Sequence, residues 1–420
     1  MRDASLLEQR VARRLLWVLM PGVLVAFLDR TNVSFAAPTM NPTLGIDAAT
    51  FGLGAGIFFL GYLLFEVPSN MILPRVGARR WIARIMISWG LVAAAVALAT
   101  GPNSFLVLRF LLGVAEAGFL PGAMLYASYW IAPSRLGGFT ALLLLMVPVA
   151  SSITALLSAA ILTLDGWLGV AGWQWIFILQ GLPAVALGLV ALAFLDDRPA
   201  DAAWLSDDEK RQIGRTTGGG GTGGHPPVGA MLATAARNRR IWGLGGGYFL
   251  INLALGSQPW FPLMLAQHGW SAGHVALALA APNALAAIAM VGWARRSDRA
   301  GERANHLLLA ALLSGGGWLL CAIAGSDIMV VAGIGLALIG MFACVAVFWA
   351  VPAAMLSAHD RPVGIAAITC IGLIGSFVSP VVTGRLKVAT GSYDFGMYLA
   401  AAGIVLGALL VRTSVSRLRE

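Results

Sequence analysis

The chain has 420 residues, of which 59% are hydrophobic and 11% charged, and its mean hydropathy is +0.82. A water-soluble core cannot hide so many apolar side chains, so the composition excludes a soluble globular protein and predicts one that crosses a membrane several times. The net charge of +9 would suggest a nucleic-acid partner in a soluble protein, but in a membrane protein the position of each charge matters more than the sum.

Twelve apolar segments are long enough, or nearly so, to cross a hydrocarbon layer of about 30 Å. The loops between them are short, which leaves no room for a large soluble domain. The sequence therefore predicts an all-α membrane protein with twelve transmembrane helices. The segments lie at about 15–38, 51–73, 81–100, 105–126, 138–163, 173–195, 241–265, 272–294, 306–324, 328–350, 362–384 and 394–412.

The basic residues are distributed unevenly between the two sides of these segments. If the N-terminus is cytoplasmic, 24 of the 28 Lys and Arg residues fall on the cytoplasmic side, and only Arg385 and Lys387 fall on the other. Arg30 and Arg109 lie inside segments. Because Lys and Arg concentrate in cytoplasmic loops, we expect both termini to be cytoplasmic and no nucleic acid to bind.

The first segment carries two adjacent charges, Asp29 and Arg30, followed closely by Asn32. Charged groups inside the hydrocarbon layer are expensive and usually mark a functional pathway. Counted from Leu15, Asp29 lies about 21 Å along the helix, which is ~9 Å below the far boundary of the layer. We therefore expect this pair to be functional.

The second segment has Tyr62 and Glu66 one turn apart in its inner half, and Pro68 permits a kink. Glu66 is a further carboxylate inside an apolar segment. It can carry a proton, or it can reach water or pair with the arginines that follow, and both interpretations stay open.

The fourth segment carries two opposite charges, Arg109 and Glu116, on one helical stripe with Gly113. Their separation along the helix, about 10 Å, is too long for a direct ion pair. Arg109 lies ~7 Å below the same boundary as Asp29, so these two residues are close enough to pair if their helices face each other. Glu116 falls near the middle of the layer. Three small or helix-bending residues follow: Gly118, Pro121 and Gly122.

A basic turn after the second segment has a counterpart after the eighth. Pro74–Arg80 reads PRVGARR, and Ser297–Arg303 reads SDRAGER. When Asp298-Arg299 is aligned with Pro74-Arg75, Gly301 takes the place of Gly77. This repeat predicts two six-helix halves in tandem, 1–195 and 241–420, joined by a cytoplasmic linker at 196–240. The residues of this loop motif are Arg75, Gly77, Arg79, Arg80, Asp298, Arg299, Gly301 and Arg303.

The linker is polar and ends the hydrophobic pattern. Ser206 followed by Glu209 has the spacing of a capping box, which predicts a short cytoplasmic helix. The stretch TTGGGGTGGHPP at 216–227 lacks the lysine and the helix start of a phosphate-binding loop, so we interpret it as a flexible linker.

The segments of the second half contain no buried carboxylate and no Lys or Arg before Arg385, so the charge chemistry belongs to the first half. The three cysteines lack disulfide or metal-ligand spacing, and the five histidines lie in loops or at helix ends. The sequence therefore predicts no metal and no cofactor. The neutral polar side chains that can offer hydrogen bonds are Tyr248, Asn252, Gln258, Asn283, Thr369, Ser376 and Ser379.

Twelve segments in two related halves resemble the major facilitator superfamily, and the resemblance covers nearly the whole chain. Six motifs are similar to the anion:cation symporter family, and within it to the bacterial tartrate, phthalate and hydroxyphenylacetate permeases. The resemblance implies a monomeric transporter of the bacterial inner membrane, and not an enzyme. The motifs are FLDRTNVSFA at 27–36, FFLGYLLFEVPSN at 58–70, GARRWIARI at 77–85, RFLLGVAEAGFLPG at 109–122, GWQWIF at 172–177 and SDRAGER at 297–303.

In that family, the Asp-Arg pair of the first span and the Arg and Glu of the fourth carry proton coupling and organic-anion binding. The depth argument reaches the same four residues. One departure concerns the first loop, where the superfamily normally has a Gly and an Asp and this chain has Asn70 and Pro74. The residues that match the family pattern are Asp29, Arg30, Arg109 and Glu116.

We expect a secondary transporter that takes up a small organic carboxylate, such as a tartrate-like sugar acid or an aromatic acid, together with protons by alternating access. Burial favours the protonated form of a carboxylate and a nearby arginine favours the ionised form, so movement between two states can load and release a proton. The expected proton carriers are Asp29, Glu116 and Glu66. The expected substrate contacts are Arg30, Arg109, Asn32, Tyr62, Tyr248, Asn252 and Asn283.

Two alternatives belong beside this hypothesis. An organic-anion exchanger would show basic residues in both halves and no buried acids, and the three buried acids argue against it. A membrane-embedded sensor or enzyme would need a signalling domain or a catalytic cluster, and the sequence offers neither. The expected partners are therefore the organic anion, protons and the lipid bilayer.

Overall fold

The computed structural model describes residues 2–217, 238–356 and 361–416. Within these ranges, twelve helices are long and apolar enough to cross a membrane, which confirms the predicted all-α architecture. The helices are α1 Leu6–Leu44, α2 Ala48–Val76, α3 Ala78–Leu98, α4 Pro102–Ser128, α5 Pro133–Leu164, α6 Gly172–Phe194, α7 Arg239–Gln267, α8 Ala272–Ala300, α9 Ala304–Ala322, α10 Asp327–Pro352, α11 Val363–Thr390 and α12 Asp394–Val415.

Helix α4 is interrupted near its middle, although the sequence predicted a continuous segment with bending residues. It consists of Pro102–Glu116 and Phe119–Ser128. Ala117 leaves the helical conformation with ψ 129°, and Gly118 adopts a positive φ of 86°. Glycine adopts that conformation without steric penalty, which explains why the helix breaks there. Glu116 is therefore the last residue of the first segment of α4.

The linker contains the predicted short helix, Asp207–Thr216. Ser206 N–H donates to Glu209 Oε2 at 2.9 Å, and Glu209 N–H donates to Ser206 Oγ at 3.4 Å, which confirms the capping box. Most of the stretch predicted to be a flexible linker, from residue 218 to 227, lies outside the described residues.

The twelve helices form two groups of six with the same internal packing. In the first half, α1 packs against α5 and α6, α3 against α6, and α2 against α4. In the second half, α7 packs against α11 and α12, α9 against α12, and α8 against α10. Each pair of the first half has a counterpart six helices later, as the predicted tandem repeat requires. The chain limits of the halves and the linker stay a prediction.

The two halves touch along α2 and α11 and along α5 and α8. These contacts lie at the end of the bundle that is away from the chain termini. We call this end, where the chain passes from α1 to α2, the distal end. A Cβ added to Gly56 would lie 2.7 Å from the carbonyl oxygen of Phe377, so the helix backbones touch. Ser152 Oγ donates to the carbonyl oxygen of Ala280 at 3.2 Å. The halves are therefore closed against each other at the distal end.

The hydrophobic cores agree with this arrangement. One core contains the distal part of α1 together with much of the second half, and includes Phe51 packed edge-on against Trp260 at 5.2 Å. The other core is built from the first half and the start of the linker. Toward the chain termini, the first half therefore packs mainly on itself.

Candidate functional site

Arg30 and Glu116 form an ion pair in the interior of the first half. Arg30 Nε and Nη2 both lie 2.7 Å from Oε1 of Glu116, so two donors of the guanidinium bind the same carboxylate oxygen. The Glu116 side chain is fully buried, whereas 15% of the Arg30 side chain is exposed. Glu116 Oε2 is buried and has no hydrogen-bond partner in the described part of the chain. The pair thus contains one acceptor that remains unused.

Three aromatic rings surround the guanidinium of Arg30. Its Cζ lies 4.7 Å from the ring centroids of Phe27 and Tyr62 and 5.5 Å from that of Phe58. Aromatic faces attract a cation that has lost its water, so these rings stabilise the buried charge. They also restrict the side chain to one position, with one edge of the guanidinium left exposed.

Arg109 points toward α2 and not toward Asp29. Its Nε donates to the carbonyl oxygen of Gly54 at 3.1 Å, its Cζ lies 5.1 Å from the ring of Phe58, and the side chain is 2% exposed. Arg109 Nη1 is buried with no partner among the described residues. The expected pairing of Asp29 with Arg109 therefore does not form in this conformation, because the predicted stripe with Gly113 packs against α2.

Asp29 is fully buried and is held by two neutral donors. Trp89 Nε1 donates to its Oδ2 at 2.9 Å, and Asn32 Nδ2 donates to its Oδ1 at 3.3 Å. Asn32 is itself only 1% exposed, and its Oδ1 has no partner within the described ranges. Asn32 thus contacts Asp29 in the structure, whereas the sequence predicted that Asn32 contacts the substrate.

Glu66 lies one turn beyond Tyr62 on α2, as predicted. Its Oε2 is buried and has no hydrogen-bond partner in the residues described. Asn70, one further turn along, donates to the backbone carbonyl of Glu66 at 2.9 Å and has its own Oδ1 unused. Two buried acceptors therefore lie in succession on this helix.

The polar residues of the second half are mostly engaged with each other. Asn252 donates to the carbonyl of Tyr248 at 2.7 Å and accepts from Ser376 Oγ at 2.9 Å. The Tyr248 ring stacks on Phe348 with centroids 4.6 Å apart. Asn283 donates to a carbonyl of its own helix and is 6% exposed. The hydrogen bonds of these residues stay inside the second half.

The first turn of the repeated loop motif is attached to the end of α6. Gly77 has φ 99°, and a Cβ there would lie 2.6 Å from Oδ1 of Asp197. The same oxygen accepts the backbone N–H of Arg79 at 2.9 Å, and thereby caps the start of α3. Arg79 Nε donates to the carbonyl of Leu192 at 2.6 Å. Arg75 and Arg80 are exposed.

The second turn is attached differently. Gly301 also has a positive φ, 63°, but a Cβ there would meet nothing within 4 Å. Arg303 Nη1 donates to the carbonyl of Ala350 on α10 at 2.6 Å, and its Nη2 lies 3.9 Å from Asp298. Arg299 is exposed. The two turns each have a glycine with positive φ, and they differ in the helix that they contact.

The chain as a whole matches a known protein family. A model described as "Major Facilitator Superfamily" matches residues 19–380. The chain belongs to the Major Facilitator Superfamily. The fold of twelve helices in two halves is that of the superfamily, and the chain is a membrane transporter and not an enzyme.

Relatives within the superfamily extend over almost the full length. The chain is 41% identical over 414 residues to a protein named "Putative tartrate transporter" from Agrobacterium vitis, covering 96% of this chain and 91% of the relative. It is 34% identical over 419 residues to a "Quinolone resistance transporter" from Acinetobacter baumannii, covering 98% and 96%. The predicted resemblance to tartrate permeases is confirmed by the first relative.

Solved structures of the superfamily have the same fold. A bacterial homolog to human lysosomal transporter Spinster, in an inward-facing and unoccupied conformation, superimposes with a TM-score of 0.77. Its sequence is 19% identical, and the match covers 97% of both chains.

The sequence did not reveal several residues that complete the site in this member of the superfamily. Trp89 and the rings of Phe27 and Phe58 lie in apolar segments, where an aromatic residue is usually packing or an interface anchor. Asp197 lies in a polar linker, where a carboxylate is expected to be solvated. No pattern in the chain marks these residues, because their roles depend on which helix each one faces.

Proposed function

We propose that the protein takes up a small organic carboxylate together with protons, and that Arg30 exchanges one anionic partner for another during the cycle. The buried ion pair between Arg30 and Glu116 is the observation that carries this proposal. When Glu116 gains a proton, the guanidinium loses its counter-charge inside a water-poor interior. A substrate carboxylate that reaches the exposed edge of Arg30 then replaces that charge with bidentate hydrogen bonds.

The balance of buried charges supports coupling to protons. Asp29 and Glu116 offset Arg30 and Arg109 when all four are ionised, so their sum is zero. A substrate anion entering this group without a proton adds an unbalanced charge, which costs several kcal/mol in a medium of low dielectric constant. A monoanion that enters with two protons carries a net charge of +1, worth about 2.3 kcal/mol per 100 mV of membrane potential.

The remaining predicted residues take supporting roles in this proposal. Arg109 keeps the electrostatic potential around Asp29 and Glu116 positive without touching either carboxylate. Tyr62 confines Arg30, and Glu66 accepts the proton nearer to the membrane surface. The second half presents neutral groups to the part of the substrate that lies away from the carboxylate. These groups are Tyr248, Asn252 and Asn283.

Orientation in the membrane follows from the basic residues. The segments that share one side with the termini hold 24 of the 28 Lys and Arg residues, which favours a cytoplasmic location for both termini in a bacterial inner membrane. The closed distal end then faces outward. Uptake by alternating access requires the halves to separate at the distal end and close at the other.

Two substrate classes are candidates. The relative named "Putative tartrate transporter" favours a hydroxy-carboxylate such as tartrate. A second candidate is an aromatic acid, because Tyr248, Phe348 and Trp349 form an aromatic cluster with ring centroids 4.6 to 5.4 Å apart. Proteoliposome uptake of labelled tartrate and labelled phthalate separates these classes.

Glu116→Gln tests the coupling mechanism. Glutamine imitates a protonated carboxyl in size and hydrogen bonding but cannot release a proton. Net uptake into proteoliposomes driven by a pH gradient should fall to background, whereas counterflow exchange of labelled for unlabelled substrate should persist. Asp201→Asn changes an exposed linker carboxylate and should leave both rates unchanged.

Other outcomes of this experiment contradict the proposal. Equal loss of exchange and net uptake would make Glu116 a structural or substrate-contact residue. Wild-type uptake that ignores the pH gradient but requires an anion on the opposite side would identify an exchanger.

A further inference from the structure

Trp89 connects two parts of the proposed proton machinery that are otherwise separate. Its indole N–H donates to Asp29 Oδ2 at 2.9 Å, and both side chains are fully buried. An indole nitrogen can only donate a hydrogen bond. It therefore binds a carboxyl oxygen that accepts, and cannot bind the hydroxyl hydrogen of a protonated carboxyl group. The second donor, Asn32, is longer at 3.3 Å and comes from the same helix as Asp29. Trp89 is thus the donor that joins Asp29 to a different helix.

The other side of the Trp89 ring contacts α4 directly after its break. The ring of Phe119 packs edge-on against Trp89 with centroids 4.7 Å apart. Phe119 is the first residue of the second segment of α4, three residues after Glu116. A Cβ added to Gly22 of α1 would lie 2.7 Å from the Phe119 ring, so α1, α3 and α4 meet at this point with no spare space.

The charges around Asp29 are few and can be assigned by helix. On α4 they are Arg109 and Glu116, and on α1 itself the neighbour Arg30 is paired with Glu116. Helix α6 contains no acidic or basic residue, and the only one on α5, Arg135, pairs with Glu8 at 2.7 Å. Helices α7 and α8 carry their acidic and basic residues near their ends, and α2 contributes Glu66. Helix α3 carries Arg79, Arg80 and Arg84, which are exposed, and its hydrogen bond to Asp29 comes from the neutral donor Trp89.

We propose that Trp89 is a positioning residue for proton coupling, which holds Asp29 with its indole N–H and transmits the protonation state of Asp29 to the broken part of α4 through Phe119. The inference rests on the proposed role of Asp29 as a proton carrier. Hydrogen bonds to an ionised carboxylate are stronger than those to a neutral one, so proton loss at Asp29 tightens its contact with Trp89. The Trp89 ring, held in this way, fixes the position of Phe119. Phe119 in turn fixes the orientation of Glu116, three residues earlier in the chain.

The test separates the N–H of Trp89 from its ring. Trp89→Phe keeps an aromatic ring against Phe119 but removes the donor. Trp318→Phe is the matched control, because Trp318 is equally buried, stacks on Phe261 at 4.6 Å, and has an Nε1 with no partner among the described residues. If Trp89→Phe does not fold, replacement of Trp89 by β-(3-benzothienyl)alanine removes only the N–H and keeps the ring size.

The first measurement needs no substrate. Infrared difference spectra between acidic and basic buffers record the carbonyl stretching band of a buried carboxyl as it gains a proton, and Asp29→Asn identifies the band of Asp29. Loss of the Trp89 donor should shift this band and move its titration midpoint by about one pH unit, a tenfold change in proton affinity. Trp318→Phe should change neither. An unmoved band in the Trp89 variant, or the absence of any titrating band from Asp29, overturns the proposal.

The second measurement is transport of labelled tartrate in proteoliposomes. Trp89→Phe should lower uptake driven by a pH gradient roughly tenfold while counterflow persists, and should add no further loss in the Asp29→Asn background. Losses that multiply in the double variant overturn the proposed connection. Wild-type uptake without any dependence on the pH gradient contradicts the proposed function itself, and the infrared result then still decides whether Trp89 holds Asp29.

Discussion

Arg109 and Gly54 are joined by a hydrogen bond from the guanidinium Nε to the backbone carbonyl, 3.1 Å long. This contact turns the cation of α4 toward α2. One turn further along α4, Gly113 lies so close to the carbonyl of Phe58 that no Cβ fits between them. Close approach of the two backbones therefore determines where the arginine points.

Gly113→Ala should destabilise the protein, because the added methyl group collides with backbone that cannot move aside. Overpacking of this kind typically costs about 1–3 kcal/mol. Gly316→Ala is the control, since a Cβ at that exposed position of α9 meets nothing within 4 Å and alanine favours a helix. Thermal unfolding in detergent should show a lower midpoint for the first variant and an unchanged or higher one for the second. Equal midpoints would argue against the tight contact between α2 and α4.

Arg30→Ala should abolish substrate binding and transport. The change also leaves Glu116 buried without a counter-charge, which costs about 3–5 kcal/mol if the glutamate stays ionised. Adding Glu116→Gln to Arg30→Ala should therefore restore thermal stability but not binding. Calorimetric titration with tartrate checks the first part, and thermal unfolding checks the second. Retained affinity in Arg30→Ala would show that another residue binds the carboxylate.

Gly77→Ala and Gly301→Ala form a matched pair in the two turns of the loop motif. Both glycines have positive φ, so alanine is strained at either position. Gly301 has the left-handed helical conformation, where the cost is roughly 1–2 kcal/mol, whereas Gly77 has ψ 137°, a combination that side chains adopt less readily still. Only at Gly77 does the new Cβ also collide with Asp197, which caps α3. We expect Gly77→Ala to lower the unfolding midpoint more than Gly301→Ala does. The reverse order would mean that the contact with Asp197 does not constrain the first turn.

Gly52→Ala should loosen the distal end. Its Cβ would collide with the carbonyl of Pro380 on α11, so closure of the two halves becomes less favourable. Spin labels at the exposed positions Leu168 and Val388 report the separation of the halves there. The variant should populate longer distances than the wild type, whereas Gly273→Ala, at the same end with nothing within 4 Å, should not. An unchanged distance distribution in Gly52→Ala contradicts the assignment of this contact as a closure point.

Hydropathy and depth were sufficient to identify the spans and the buried charges. Long apolar segments must become helices in a bilayer because every backbone group needs an internal partner. A charge in such a segment is costly enough to be recognised, which is how Asp29, Arg30, Arg109 and Glu116 were selected before any contact was known.

The partners of these charges could not be predicted, because the rotation of each helix about its axis depends on its neighbours. Depth alone suggested that Asp29 could pair with Arg109. In the structure, Asp29 accepts a hydrogen bond from Trp89, and Arg109 donates one to a backbone carbonyl of α2. Arg109 faces α2 because Gly113, on the same side of α4, lets the two helices approach closely. The break at Gly118 was predicted only as a bend, because glycine in an apolar segment is compatible with both.

The break in α4 has a mechanical consequence. Non-helical backbone at membrane depth is tolerated only where protein or water, and not lipid, surrounds it. Gly118 lies against Ser69 and within reach of Asn70, both on α2, and a Cβ there would lie 2.7 Å from the Cβ of Ser69. If α4 slid away from α2, lipid would meet backbone groups that have no helical partner. In the proposed alternating-access cycle we therefore expect α2 and α4 to move as one rigid body, with the opening and closing motion at other helix contacts.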